Sequence, residues 1–148
     1  MSKQGIRILD KENMIVSVKL GDFIDEINNG ESFYWSILYL YATGDLGEKM
    51  SMPVFETSIN EAPSGLALTW SELQELSNKF WDLMDILIIG CSEKNQVRRY
   101  SSEKEMCESC DVVINKFDSS YWEVFAKNPT LIEKLANKFI DIRYLSTD

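Results

Sequence analysis

The sequence predicts an α+β fold in one domain: a central, mostly antiparallel sheet of about five strands with four or five helices. Three observations lead there. The chain of 148 residues is long enough for one hydrophobic core and too short for two ordinary domains. Apolar runs of strand length, rich in branched and aromatic residues, are interleaved with segments whose apolar residues recur at three-to-four spacing. Thr69 with Glu72, Ser102 with Glu105 and Ser120 with Glu123 repeat the capping-box pattern, in which two side chains satisfy backbone N–H groups at a helix start.

Taken in order, "GIRIL" at 5–9 and "MIVSVKL" at 14–20 flank the polar "DKEN" and read as strand, turn, strand. "GDFIDEINNG" places Phe23, Ile24 and Ile27 at helical spacing and stops at Asn29-Gly30, as a short amphipathic helix with a left-handed cap would. "SFYWSILYLYATGDL", 32–46, is the clearest strand; its apolar character on both faces places it centrally. From Gly47 to Gly65 the pattern weakens into a long surface excursion. "EKMSMPVFETS" has room for one edge strand, Pro53 arguing against an interior one, and "INEAPSG" reads as loop.

The Thr69 box opens a helix over 70–83, with Leu73, Leu76, Phe80 and Met84 on one side. "DILIIGC", 85–91, follows as a buried strand, and the two form an αβ unit packed in layers. Ser102 starts a helix ending near Cys110, and "DVVINKF", 111–117, is another strand. The Ser120 box predicts a short helix over "YWEVF". Asn128 then caps a helix with Pro129 in its first turn, whose apolar face holds Leu131, Leu135 and Phe139, widened by Ile132 and Ala136. "IDIRYL" closes the chain as a strand.

Composition restricts function. Asp plus Glu number 24 against 15 Lys plus Arg, a formal charge of -9, so phosphate backbones are repelled at long range and nucleic acid is not an expected ligand. The chain has no histidine, which removes the commonest general base and the most frequent nitrogen ligand of transition metals. Cys91, Cys107 and Cys110 are an odd set that fits free thiols in a reducing compartment. The first thirty residues carry no signal-peptide pattern and no apolar run is long enough to span a bilayer, so a cytoplasmic protein without a membrane partner is expected. Neither a cofactor nor a bound metal is expected, nor enzymatic activity.

Each candidate site has two readings. Cys107 and Cys110 form C-x-x-C, the spacing of redox and zinc sites, yet only Cys91 is left as a further thiol and the pair closes a helix; the plainer reading is two small residues on a last turn. Asp118 and Glu123 are the most suggestive carboxylate couple for glycoside chemistry, or else a backbone acceptor at a strand end and a capping-box member. Arg98, Arg99 and Tyr100 are either a solvated turn or an interface anchor. Trp35, Trp70, Trp81 and Trp122 supply aromatic area, most of it core; on the helix over 70–83, Phe80 and Trp81 cannot share a face, so one of them covers a neighbouring element or is left partly exposed. The scattered acids form a solvated surface, and their sum steers a basic partner into encounter.

"LTWSELQELSNKFWDLMDILIIGC", "RYSSEKEMCESCDVVINKFDSSYWEVFAKNP" and "LIEKLANKF" resemble the immunity proteins of bacterial polymorphic toxins and contact-dependent growth inhibition systems. The resemblance covers roughly the C-terminal half of the chain and carries no catalytic signature. It implies a small cytosolic protein that binds one toxin domain, a basic nuclease in the expected case, and blocks it stoichiometrically. An intracellular adaptor without a toxin partner accommodates the same charge and aromatic content, and a small carboxylate enzyme remains the third reading. The expected contacts are the acids after the central strand, Asp45, Glu48, Glu56 and Glu61, with Glu72 and Glu75 next.

Overall fold

A computed structural model describes residues 4–12, 15, 16, 18–48 and 50–146, apart from the side chains of 4, 12, 15 and 16. Among the described residues, nine strands and five α-helices follow in the order β1 (Gln4–Ile8), β2 (Lys11–Glu12), β3 (Ile15–Val16), α1 (Leu20–Ile24), β4 (Tyr34–Gly44), α2 (Met52–Glu61), β5 (Leu66–Leu68), α3 (Trp70–Ser77), β6 (Phe80–Cys91), α4 (Glu103–Ser109), β7 (Val112–Phe117), β8 (Tyr121–Ala126), α5 (Pro129–Lys138) and β9 (Ile142–Ser146). Seven strands form one sheet in the order β5-β4-β6-β7-β8-β1-β9, and every pairing in it is antiparallel. The α+β class holds, with more strands than the sequence pattern shows: β5 is too short to carry a period and β8 covers a stretch expected as a helix, while β2 and β3 pair as a separate two-stranded sheet.

One face of the sheet carries the main core. Ile6 and Ile8 of β1, Ile37 and Leu40 of β4, Ile86 and Ile88 of β6, Ile114 of β7, and Trp122 and Val124 of β8 are buried there. α1, α3 and α5 cover them with Phe23, Leu73, Leu131, Ile132 and Leu135. The two fully buried tryptophans have their polar ends satisfied: Trp35 Nε1 donates to Gly30 O at 2.7 Å and Trp122 Nε1 to Val18 O at 3.1 Å. Gly30 is required for close approach, since a Cβ there would run into the Trp70 ring. The opposite face holds a smaller cluster, Leu38, Ile89, Val113 and Phe125 beneath Met106 and Cys107 of α4.

The Thr69 box and the Asn128 cap form as expected; at Ser102 only the hydroxyl half of the expected box forms, because the Glu105 carboxylate accepts from Arg98 and Ser101 instead of the Ser102 N–H. Thr69 Oγ1 accepts from the Glu72 N–H at 3.1 Å while Glu72 Oε1 accepts from the Thr69 N–H at 2.8 Å. Ser102 Oγ accepts from the Glu105 N–H at 3.2 Å, and Asn128 Oδ1 from the Thr130 N–H at 3.0 Å.

Several expectations are corrected. The helix begun at Thr69 ends at Ser77 and β6 starts at Phe80; Phe80 packs against the same core as Leu73 and Leu76, which is why it mimicked a helical position. "YWEVF" is strand β8, because Asp118 and Ser119 both take left-handed φ values of 46° and 59° and the Ser120 N–H bonds to Phe117 O, turning the chain back onto β7 as a type I′ hairpin does. The expected edge strand and loop between Gly47 and Gly65 contain helix α2, with Pro53 in its first turn where no N–H partner is needed. Only Met52 and Ile59 of α2 are buried, too few to show a period. Strand 4 runs Tyr34–Gly44 and lies one place in from the sheet edge, where a central position was expected. Of the strand expected at 14–20, Ile15–Val16 forms β3 and Leu20 opens α1, while Met14 and Ser17 lie outside the described residues. α1 ends at Ile24 with Asp25 in right-handed conformation, so Gly30 is no left-handed cap.

Candidate protein-binding face

The smaller core occupies only part of its face, because α4 is seven residues long. Beyond it the sheet face continues in an unbroken register row, Tyr39–Leu87–Asn115–Glu123–Arg7–Arg143, read across β4, β6, β7, β8, β1 and β9. A second row begins with Tyr41 opposite Asp85 and ends with Phe117 opposite Tyr121. Tyr39 and Tyr41 are 45% and 53% exposed, and Leu87, Phe117 and Tyr121 are half-buried. Alternation of the strand dictates this: Leu40 and Ala42 point into the main core, so the tyrosines beside them point away.

The face is held rigid by its neighbours. Phe117 and Tyr121 stack with centroids 5.1 Å apart, and the Arg7 guanidinium lies 4.6 Å over the Tyr121 ring. Arg7 Nε and Nη2 donate to Glu123 Oε2 at 2.8 and 2.7 Å, which raises the arginine pKa; the Glu123 side chain is only 7% exposed. Asp85 Oδ1 accepts from the Asp118 N–H at 2.8 Å, fixing the β7–β8 turn to β6. Lys116, on the core side, extends over Trp122, and burial lowers its pKa against the opposing pull of Asp82 and Asp85.

A groove of about 750 Å³ opens at the start of β4, walled by Phe33, Tyr34, Trp35, Leu68, Trp70 and Val97 with Glu31, Glu72 and Lys94 among its lining. Trp35 and Trp70 are 5.2 Å apart there.

The acids named from sequence are spread over the segment after β4, α2 and α3. Asp45 and Glu48 lie exposed past the end of β4, where Asp45 Oδ1 accepts from the Gly47 N–H at 2.9 Å. Glu56 Oε2 accepts from the Ala42 N–H at 2.8 Å, and so caps the edge of β4. Glu61 is exposed at the end of α2 and Glu75 on α3, while Glu72 belongs to the capping box and the groove wall.

The other candidates acquire structural partners. Arg99 donates to four carbonyls, Leu38 O at 2.6 Å, Ile59 O at 2.9 Å, Ala62 O at 3.1 Å and Asn60 O at 3.2 Å, and thereby ties the end of α2 to β4. Arg98 stays exposed, 4.0 Å over the Tyr100 ring and 2.9 Å from Glu105. All three cysteines are buried and reduced; the hydrogen bond with Cys110 and burial push Cys91 well above the thiol range, which keeps it protonated and inert. Burial and Cys110 push Tyr100 up to about 12. Among the described residues no cluster of His, Cys, Asp or Glu is arranged to hold a metal ion. Asp118 sits at the exposed tip of a turn with its backbone N–H held by Asp85, and Glu123 on β8 is paired with Arg7 from the far end of the chain, so neither the expected strand-end backbone acceptor nor the expected capping-box role is what forms. Trp81 is 76% exposed while Phe80 packs on the core; the pair separates by strand alternation in β6, where a helix was expected.

Sequence reasoning missed Tyr39, Tyr41, Phe117 and Tyr121. The signal was the period-two placement of Tyr39 and Tyr41 against Leu40 and Ala42, which marks one face as covered and the other as open. Among the described residues no helix is long and apolar enough to cross a membrane. Comparison with family models, with curated proteins and with solved structures finds no match to the chain.

Proposed function

We propose that the protein is an immunity-type inhibitor that neutralises a cognate bacterial toxin domain, of basic character and of nuclease type, by stoichiometric docking. The observation that carries the reading is the open half-face of Tyr39, Tyr41, Phe117 and Tyr121, set beside Asp82 and Asp85 on a chain of net charge -9. Tyrosines and arginines supply most of the affinity at protein interfaces, because their flat faces bury large areas at small entropic cost. The surrounding negative potential acts at longer range and raises the association rate with a basic partner by about 10- to 1,000-fold at low salt. The resemblance of the C-terminal half to immunity proteins points the same way.

The test is rescue of growth in cells expressing the toxin domain encoded beside this chain, followed by binding kinetics with the purified domain. Tyr39→Ser with Tyr41→Ser should abolish rescue while leaving the melting temperature near that of the parent, since both side chains are exposed. Asp82→Asn should slow association at low salt and leave dissociation unchanged. Binding without rescue would favour an adaptor role instead, and an association rate indifferent to ionic strength would remove the steering argument.

A further inference from the structure

The groove at the start of β4 plays no part in the docking proposed above. Its walls come from the turn at Gly30–Ser32, the first residues of β4, the end of β5, the start of α3 and the turn at Lys94–Gln96. Trp35 is 1% exposed and forms the floor, with Phe33 edge-on to it at 5.9 Å and Trp70 tilted against it at 5.2 Å. Trp35 Nε1 donates to Gly30 O, and a Cβ at Gly30 would lie 2.2 Å from Trp70 Cδ2, so the Trp70 ring rests directly on the glycine. The reciprocal bonds of Thr69 and Glu72 fix the start of α3 and Trp70 with it. These rings are in place before any ligand arrives, which spares a ligand the cost of ordering them.

Charge at the groove is uneven. Glu31, Glu72 and Lys94 are exposed along it, and among the described residues none of them belongs to an ion pair. Two carboxylates therefore stand against one ammonium, on a chain of formal charge -9, and that balance disfavours an anionic ligand. Tyr34 is 49% exposed and Trp70 half-buried, so both still present ring surface to the opening. Aromatic faces carry negative potential and attract cations, substituted ammonium ions above all. The volume of about 750 Å³ is that of a site enclosing a small molecule, for which roughly 300–1,000 Å³ is usual.

We infer that the groove binds a small organic cation, a substituted ammonium ion carrying an aryl or branched alkyl body. The body fills space against Phe33, Leu68 and Val97, and the charged end is held by the rings of Trp70 and Tyr34 and by the carboxylates of Glu31 and Glu72. Substitution on the nitrogen suits these walls. Such an ion has few or no N–H groups to satisfy, and rings with unpaired carboxylates supply negative potential without a set of directed acceptors. The inference does not depend on the toxin reading, since growth rescue uses Tyr39 and Tyr41 and can succeed or fail whatever the groove holds.

Titration of the purified full chain with benzyltrimethylammonium, followed by the indole N–H resonances, should saturate and should shift Trp35 and Trp70 while Trp81 and Trp122 stay still. Neopentylbenzene has the same shape without the charge, and should bind about 5- to 30-fold more weakly. Benzenesulfonate should not bind. Glu31→Gln with Glu72→Gln should erase the preference for the cation and leave the affinity for neopentylbenzene unchanged; glutamine at 72 preserves the capping box, so the melting temperature should stay near that of the parent. Tyr34→Leu keeps an apolar wall and should weaken the cation alone. The inference is overturned if the neutral isostere binds as tightly as the cation, if the double replacement leaves the preference intact, or if the parent shows no saturable binding. It also fails if Nα-acetyllysine methylamide binds more tightly than benzyltrimethylammonium, because the groove would then be a seat for a protein side chain.

Discussion

Replacing Arg7 with Met should destabilise the protein more than replacing Glu123 with Gln, although both changes delete the same ion pair. The Glu123 side chain is 7% exposed and Arg7 32% exposed, with contacts of 2.7 and 2.8 Å to one carboxylate oxygen. Without Arg7, a carboxylate is left in a nearly dry site; a buried charge stripped of its partner costs about 3–5 kcal/mol, and the lower end applies because the arginine side opens to water. The Arg7–Tyr121 stacking at 4.6 Å is lost as well, worth about 0.5–1 kcal/mol. Without the Glu123 charge, Arg7 turns towards solvent and the loss is that of ordinary hydrogen bonds, about 1–2 kcal/mol. Against a total stability of about 5–15 kcal/mol the difference is easily resolved. Urea denaturation of the parent, both single variants and the Arg7→Met/Glu123→Gln double variant gives the coupling energy directly, and the double variant should recover most of the Arg7→Met loss. If Arg7→Met proves the milder of the two, or if the two single effects simply add, Glu123 is solvated in solution and the reasoning fails.

Asn60→Leu should cost about 1–3 kcal/mol for each Leu40 backbone group left unpaired, and should also raise light scattering on heating, because it strips the cover from the β4 edge. Gly30→Ala drives a methyl group into the Trp70 ring and should lower stability by about 1–3 kcal/mol with a shift in tryptophan emission. Stability should fall as pH rises above about 9: Cys91 and Tyr100 hold their protons in the fold beyond their ordinary values of 9.0 and 10.0, so the unfolded chain releases protons first. Tyr100→Phe should flatten that decline between pH 10 and about 12, read from urea midpoints across the range.

Segments with a local chemical signature were legible. α3, α4 and α5 start where Thr69, Ser102 and Asn128 cap them, and β1 and β7 lie within a residue or two of their apolar runs. Local signature misled where a distant contact decides the conformation. Ser120 and Glu123 match a capping box, yet Glu123 is held by Arg7 from the far end of the chain, and two left-handed residues have already turned the backbone. α2 gave little signal because it buries only Met52 and Ile59, while the polar Asn60 and Glu56 bond to the backbone of β4. The candidate site suffered in the same way. Acids are visible in any sequence, but which face of "YLYAT" lies open depends on α4 being too short to cover it, and that is a tertiary fact.

The place of β1 in the sheet has a further consequence for synthesis. Gln4–Ile8 leaves the ribosome well before its partners, which are residues 122–126 on one side and 142–146 on the other. This strand therefore waits, with Ile6 and Ile8 unburied, until residue 146 has emerged, and it must then insert between two later arrivals. Contacts so distant along the chain slow folding and prolong the interval in which nascent chains can adhere to one another. Moving β1 by circular permutation to follow β9 should shorten that wait and raise the yield of soluble protein.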